Sequence, residues 1–319
     1  MTFPRSAALS LFTALAAAGC SVLTDGRLAS RKAEAEAAFP PTGRLLEVDG
    51  LRVHADQRGA GADVVLIHGA SGNTRDFTFA LADLLATEFR VTAFDRPGLG
   101  WSDDAGDAGV SPFEQARILR DAAAQMGLRR PVVVGHSYGG AVAMAWALLD
   151  PASTGAVVSL AGATMPWRGG LGPWYSVTGS EIGGVTVLPL VSAFASPARA
   201  ERAIAGIFAP DPVPQGYAAH IGAGLTLRVE TMRVNARQVA RLKPFVAAMA
   251  GGYSQLEVPV EIVHGTADTI VPASVHAEPM ARLLPRARLT LLEGVGHMPH
   301  HAAPEATVAA IRRAVQAAR

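Results

Sequence analysis

Cysteine occurs once in 319 residues, at position 20, so no disulfide can form within the chain. Charge of one sign is not in excess either. The 28 Lys and Arg stand against 27 Asp and Glu, for a formal net charge of +1. That balance lacks the basic footprint that nucleic-acid binding requires, and it argues for no acidic partner. The 9 histidines form no HExxH pattern and no Cys/His cluster, so the sequence offers no metal site. Long apolar runs are missing too. The one near the start, Ala7 to Gly19, falls short of the roughly 20 residues of a comfortable membrane span. No internal repeat is visible, and the only compositional bias is toward alanine.

What the chain has is apolar bulk. Hydrophobic residues make up 50%, enough for a sizeable core in one α/β domain with an insertion. It opens MTFPRSAALSLFTALAAAGCS, a basic start followed by an apolar run that ends in small residues. This is a secretory signal pattern. The ending LAAAGC resembles a bacterial lipoprotein signal, although Ala17 stands where that pattern usually has leucine. The resemblance implies cleavage before Cys20 and lipidation of its thiol. Ser21, in place of aspartate, then implies the outer membrane, facing the periplasm. An ordinary signal peptide and an uncleaved anchor are the alternatives. Residues 25–39, DGRLASRKAEAEAAF, read as a short exposed helix or tether stopped by Pro40 and Pro41, or as a helix packed on the domain.

Beyond the tether the chain alternates between two kinds of segment. LLEVDGLRVHADQRG reads as a hairpin turning at Asp49-Gly50. Short apolar strands follow at VVLI (64–67), RVTAF (90–94), VVV (132–134) and residues 156–160, each but the last leading through a glycine-rich loop into a helical pattern. Ser111, Pro112 and Glu114 mark one helix start. This rhythm predicts a mostly parallel sheet with helices on both faces, and ligands beyond the carboxyl ends of the strands. The rhythm breaks at 165–255 and resumes with VPVEIV, so the middle is expected to be a mainly helical cap insertion. The expected organisation is signal peptide 1–19, tether 20–41, core 42–164, cap 165–255 and core 256–319.

One pentapeptide carries the chemistry. Gly135-His136-Ser137-Tyr138-Gly139 fits G-x-S-x-G between a strand and a helix. The serine needs a strained backbone on a very tight turn, and side chains two residues to either side would collide with neighbouring elements, so glycines fit there. A serine hydroxyl also needs a base and a carboxylate to orient that base. Asp268 follows a strand in HGTADTIVP, and His297 follows the last one in EGVGHMPHH.

HGASGN, DRPGLGWS, GHSYGG and the HGTAD…GVGH pair together resemble the α/β-hydrolase superfamily over about residues 45–315, in particular its cap-bearing esterases, lipases and C–C hydrolases. The resemblance implies the α/β-hydrolase fold, Ser137 as nucleophile, His297 as general base and Asp268 as its orienting acid. It implies an oxyanion hole from the Tyr138 and Ala70 N–H groups, with Ser71 as a substitute or side-chain contributor. His300 and His301 are expected to be solvated, Asp95 to close a turn, and Trp101 and Met298 to wall a pocket. Arg168, Arg228 and Arg233 read as helix-surface arginines, with carboxylate binding as the alternative. A serine suits acyl chemistry and requires no cofactor. The expected activity is hydrolysis of a small ester with a neutral or apolar acyl group. C–C hydrolysis, acyl transfer and a non-catalytic binding lipoprotein are the other readings.

Overall fold

A computed structural model describes residues 24–319. The expected signal peptide and Cys20 lie outside them. Eight strands form one sheet in the order β1-β2-β4-β3-β5-β6-β7-β8. β1 (Arg44–Val48) and β2 (Leu51–Arg58) make the hairpin. Its Asp49-Gly50 turn takes positive φ at both residues, which a two-residue hairpin requires. β2 pairs antiparallel with β4 (Phe89–Phe94). The other pairings are parallel and run through β3 (Ala62–Ile67), β5 (Val132–His136), β6 (Ala156–Leu160), β7 (Val260–Gly265) and β8 (Ala287–Leu292).

The central strands are buried on both faces, which explains their unbroken Val and Ile runs. One face packs on the helices Pro112–Gln125 and Tyr138–Leu149, with Trp146 and Val142 at its centre. The other packs on Leu81–Ala86 and Pro304–Ala317 through Leu85, Ile311 and Val315. Ser111 is the N-cap of its helix with Pro112 in the first turn, but its side chain makes no capping bond. Glu114 instead pairs with Arg117, so the expected capping box does not form.

Between β6 and β7 the chain makes a run of helices, the longest being Glu181–Phe194, Pro197–Phe208 and Val229–Ala240. Ser180 caps the first by accepting from the Gly183 N–H at 3.1 Å. A helix over residues 24–38 lies against this inserted segment. Arg31 donates to the Ala193 and Ala195 carbonyls, and Lys32 pairs with Glu230 at 2.5 Å. The packed alternative for this segment is therefore the one observed.

Arg96 binds the layers together. It is fully buried, and its guanidinium donates to the His68 and Gly69 carbonyls at 3.0 Å each, to Gln115 at 2.9 Å and to Gln238 at 2.8 Å. It also sits over the Tyr138 ring, 4.2 Å from the centroid. Burial lowers its pKa to about 10, which leaves it charged at neutral pH. Arg96→Met removes the donor to four buried acceptors at once. Urea denaturation should show a loss of at least about 3 kcal/mol.

Candidate active site

β5 ends in the tight turn that the glycines foretold. Ser137 has φ 54°, a left-handed value rare for a residue with a side chain. Two backbone bonds fix it: its N–H donates to the Leu160 carbonyl at 2.9 Å, and its carbonyl accepts from the Ala163 N–H at 3.0 Å. A methyl group at Gly135 would lie 2.1 Å from the Gly139 carbonyl oxygen, and one at Gly139 would lie 2.1 Å from that of Ile67. The helix Tyr138–Leu149 starts at once, so its first N–H groups surround the serine.

Asp268 lies in the turn after β7. One carboxylate oxygen accepts from the Ile270 and Val271 N–H groups at 2.9 Å each. The other stands 2.7 Å from His297 Nδ1 and 3.3 Å from His264 Nε2. Burial works against the charge of Asp268, but the hydrogen bonds from His264 and His297 hold its pKa well below the usual carboxylate range. An ionised acceptor at this position places the proton on His297 Nδ1 and leaves Nε2 free as a base. Asp211, from the inserted segment, steadies the loop by accepting from the Gly296 N–H at 2.7 Å.

Ser137 and His297 line one cavity of about 430 Å³, between the carboxyl ends of the strands and the inserted helices. Tyr175, Leu188, Val191, Ile204, Phe208 and Met298 supply much of its apolar wall. Its fixed charges are Asp76 and Arg199. Ala70 and Ser71 line it as well. The Ser71 N–H is taken by the Asn235 side chain at 2.7 Å, so it is not free to serve an oxyanion. Among the described residues the Ala70 and Tyr138 N–H groups carry no such bond. Trp101 lines a second cavity, beside Arg228, and not this one. Its indole N–H donates to the Phe39 carbonyl at 3.0 Å, and Arg228 covers its ring. Arg228 is no surface arginine either, because it pairs with Glu36 at 2.9 Å and donates to the Leu225 and Gly100 carbonyls. Asp95 does tie its loop, accepting from the Thr74 and Trp101 N–H groups.

His300 and His301 are buried rather than solvated, because they share Asp76. His301 Nε2 lies 2.9 Å from one carboxylate oxygen and His300 Nε2 lies 3.2 Å from the other. The Tyr217 hydroxyl donates to the same group at 2.9 Å. Burial opposes the charge of Asp76, yet the two histidines hold its pKa well below the usual range. No sequence spacing could have shown this junction, because Asp76 and His300 are 224 residues apart. The three ligand-type atoms of Asp76, His300 and His301 lie within 4.8 Å of one another. A metal-bound imidazole donates its second N–H to an acceptor, however, and His300 Nδ1 has none among the described residues. The geometry fits a hydrogen-bonded carboxylate better than a metal centre. His136 links this junction to the base. Its Nε2 lies 2.9 Å from the His297 carbonyl, and its ring packs at a tilt against those of His297 and His300.

Known proteins agree with this architecture. The family model described as "Alpha/beta hydrolase family" matches residues 64–310. A 2-hydroxy-6-oxononadienedioate/2-hydroxy-6-oxononatrienedioate hydrolase of Cupriavidus pinatubonensis is 33% identical over 117 residues, 35% of this chain and 40% of that protein. An uncharacterised protein of Mycobacterium tuberculosis is 26% identical over 300 residues, 86% of this chain and 81% of its own. Among solved structures, a bacterial membrane phospholipase A superposes with TM-score 0.68 at 23% identity, covering 98% of this chain and 97% of that one. A Thermogutta terrifontis esterase superposes with TM-score 0.67 at 21% identity, covering 86% and 97%.

The depressed Asp268 pKa has a consequence for stability. A carboxyl group lower in the folded than in the unfolded chain stabilises fully above its unfolded value, about 3.9, and loses that contribution as pH falls through the folded value. Asp268→Asn should therefore lower stability at neutral pH and flatten its acid dependence below about pH 4. Urea midpoints of the two proteins across that range check this, and parallel curves would refute it.

Proposed function

The chain belongs to the alpha/beta hydrolase family, and we propose that it is a serine hydrolase that cleaves carboxylic esters. One observation carries the reading. Ser137, held at a strained turn, opens on the same apolar cavity as His297, whose other nitrogen is fixed by Asp268. Backbone strain at Ser137 costs stability, and a binding module has no use for it.

In the proposed reaction the free His297 nitrogen takes the Ser137 proton as the hydroxyl oxygen attacks the ester carbonyl. The Ala70 and Tyr138 N–H groups hold the oxyanion of the tetrahedral intermediate. Its collapse breaks the C–O bond, and His297 returns the proton to the leaving alcohol. Water then attacks the acyl-enzyme, gives its proton to His297 and frees the acid, with the proton passing back to Ser137.

The cavity favours esters over the substrates named for the Cupriavidus relative. A dienedioate carries two carboxylates. This cavity answers them with an apolar wall, the buried negative charge of Asp76 and a single cation, Arg199. A neutral substrate with an apolar acyl group fits those surroundings.

A fluorophosphonate probe should label Ser137, and Ser137→Ala should abolish both labelling and turnover. Asp268→Asn should lower kcat by roughly 10⁴-fold. A series of p-nitrophenyl esters of rising chain length reads the acyl preference. Folded protein that neither takes the probe nor hydrolyses any ester in the series would overturn the reading.

We also propose that the protein is exported and anchored through a lipidated Cys20. The support is the sequence LAAAGC after a basic, apolar start. Palmitate labelling should vanish, and the protein should leave the membrane fraction, on Cys20→Ala.

A further inference from the structure

The helix Glu181–Phe194 is mostly apolar, yet it leaves several large side chains uncovered. Leu188 and Val191 face the cavity. Ile182 is 76% exposed, Val185 64%, and Leu190 and Phe194 55% each, with Trp174 and Val177 of the preceding helix half-exposed beside them. An outward apolar face of this extent marks an interaction surface. Between Arg168 and Arg199 the only charged residue is Glu181. We propose that this face rests on a lipid bilayer, so that the wall of the cavity is also the membrane contact of the protein.

Three observations favour lipid over a second protein. The helices Gly172–Thr178 and Glu181–Phe194 together have the composition of a membrane span, but they meet at a bend of 106°. A bend that sharp rules out one straight helix across a bilayer, while the apolar composition suits contact with its hydrocarbon. The face also has cations at its border and none within it. Arg27 sits over the Phe194 ring at 5.0 Å, and Arg31 is held at the Ala193 and Ala195 carbonyls. Arginine at such a rim can reach lipid phosphates while its stem stays on apolar ground. Finally, the Arg27 contact sets where the rest of the chain departs. Cys20 precedes Arg27 by seven residues, a reach of at most about 25 Å even when fully extended. An anchor at Cys20 would hold this face close to the bilayer. That last argument, together with the vesicle substrate below, rests on the proposed function, whereas the first two stand without it.

The full chain is reconstituted into vesicles of equal parts phosphatidylcholine and phosphatidylglycerol, the phosphatidylcholine being brominated on its acyl chains. Bromine quenches tryptophan only at close range, and Trp174→Phe isolates the Trp174 share of the emission. The expected result is loss of that share in brominated vesicles and its recovery in Ile182→Asp/Val185→Asp. The same double variant should lose turnover of an ester dissolved in the vesicles and keep that of a soluble short-chain ester, because neither residue lines the cavity. Unquenched Trp174 overturns the proposal. So does copy-to-copy cross-linking of Val185→Cys, which would make the face a dimer contact. Quenching as expected in a protein inactive on every ester would support the membrane contact while sinking the ester reading.

Discussion

Three layers of backbone meet at van der Waals limits where Ser137 stands. β5 arrives, the helix Tyr138–Leu149 leaves, and the turn after β6 passes alongside. Gly135, Gly139, Gly140 and Gly162 are the positions where they touch: a methyl on Gly140 would lie 2.7 Å from the Cα of Gly162. Everything functional in the molecule is placed relative to this contact. The strained φ of Ser137 is the geometric result of turning so abruptly, and the surrounding sheet and helices hold the strain in place. The same turn sets the helix N-terminus beside Ser137, so the proposed nucleophile and one proposed oxyanion donor, the Tyr138 N–H, come from one piece of backbone.

Around that point the fold uses buried polar groups as junctions between distant segments. Arg96 joins the loop after β3, the helix Pro112–Gln125 and the inserted helix Val229–Ala240. Asp76 joins the inserted segment, through Tyr217, to the loop that carries His297. Neither group has a lone partner whose removal would leave a simple ion pair broken; each is satisfied by several donors or acceptors, which is how an interior tolerates charge. His297, the proposed base, is thus positioned from two sides, by Asp268 directly and by the tilted His136–His300 pair behind it.

These junctions also mark where sequence reasoning stopped. Local signals were legible: the Asp49-Gly50 turn, the valine-rich buried strands, and the glycines around Ser137. Each is written within a few residues by sterics or by period. The order Ser137, Asp268, His297 was legible through resemblance, and the structure pairs the last two. The burial of His300 and His301 was not legible, because a histidine after Pro299 looks the same whether or not a carboxylate 224 residues away awaits it. Trp101 walls a cavity, but a different one from that of Ser137, because Phe39, just after the helix over residues 24–38, accepts its indole N–H. The inserted helices gave only a broken rhythm, since glycine and Pro189 interrupt their pattern.

The inserted segment is fastened unevenly. Its helix Val229–Ala240 is bonded to the core by Asn235, Gln238 and Arg237, which reach Ser71, Arg96 and Asp104. Among the described residues the helices Glu181–Phe194 and Pro197–Phe208 show no such ties to the core. Their polar bonds go to Arg31, Leu227 and Arg233, all in the N-terminal helix or within the segment itself. One wall of the cavity is therefore tied to the core by polar bonds, and the opposite wall meets it through apolar contacts such as Phe208 with Met298. In the proposed reaction the first wall sits beside the carbonyl, where direction matters, and the second beside the chain behind it, where only volume and apolarity do.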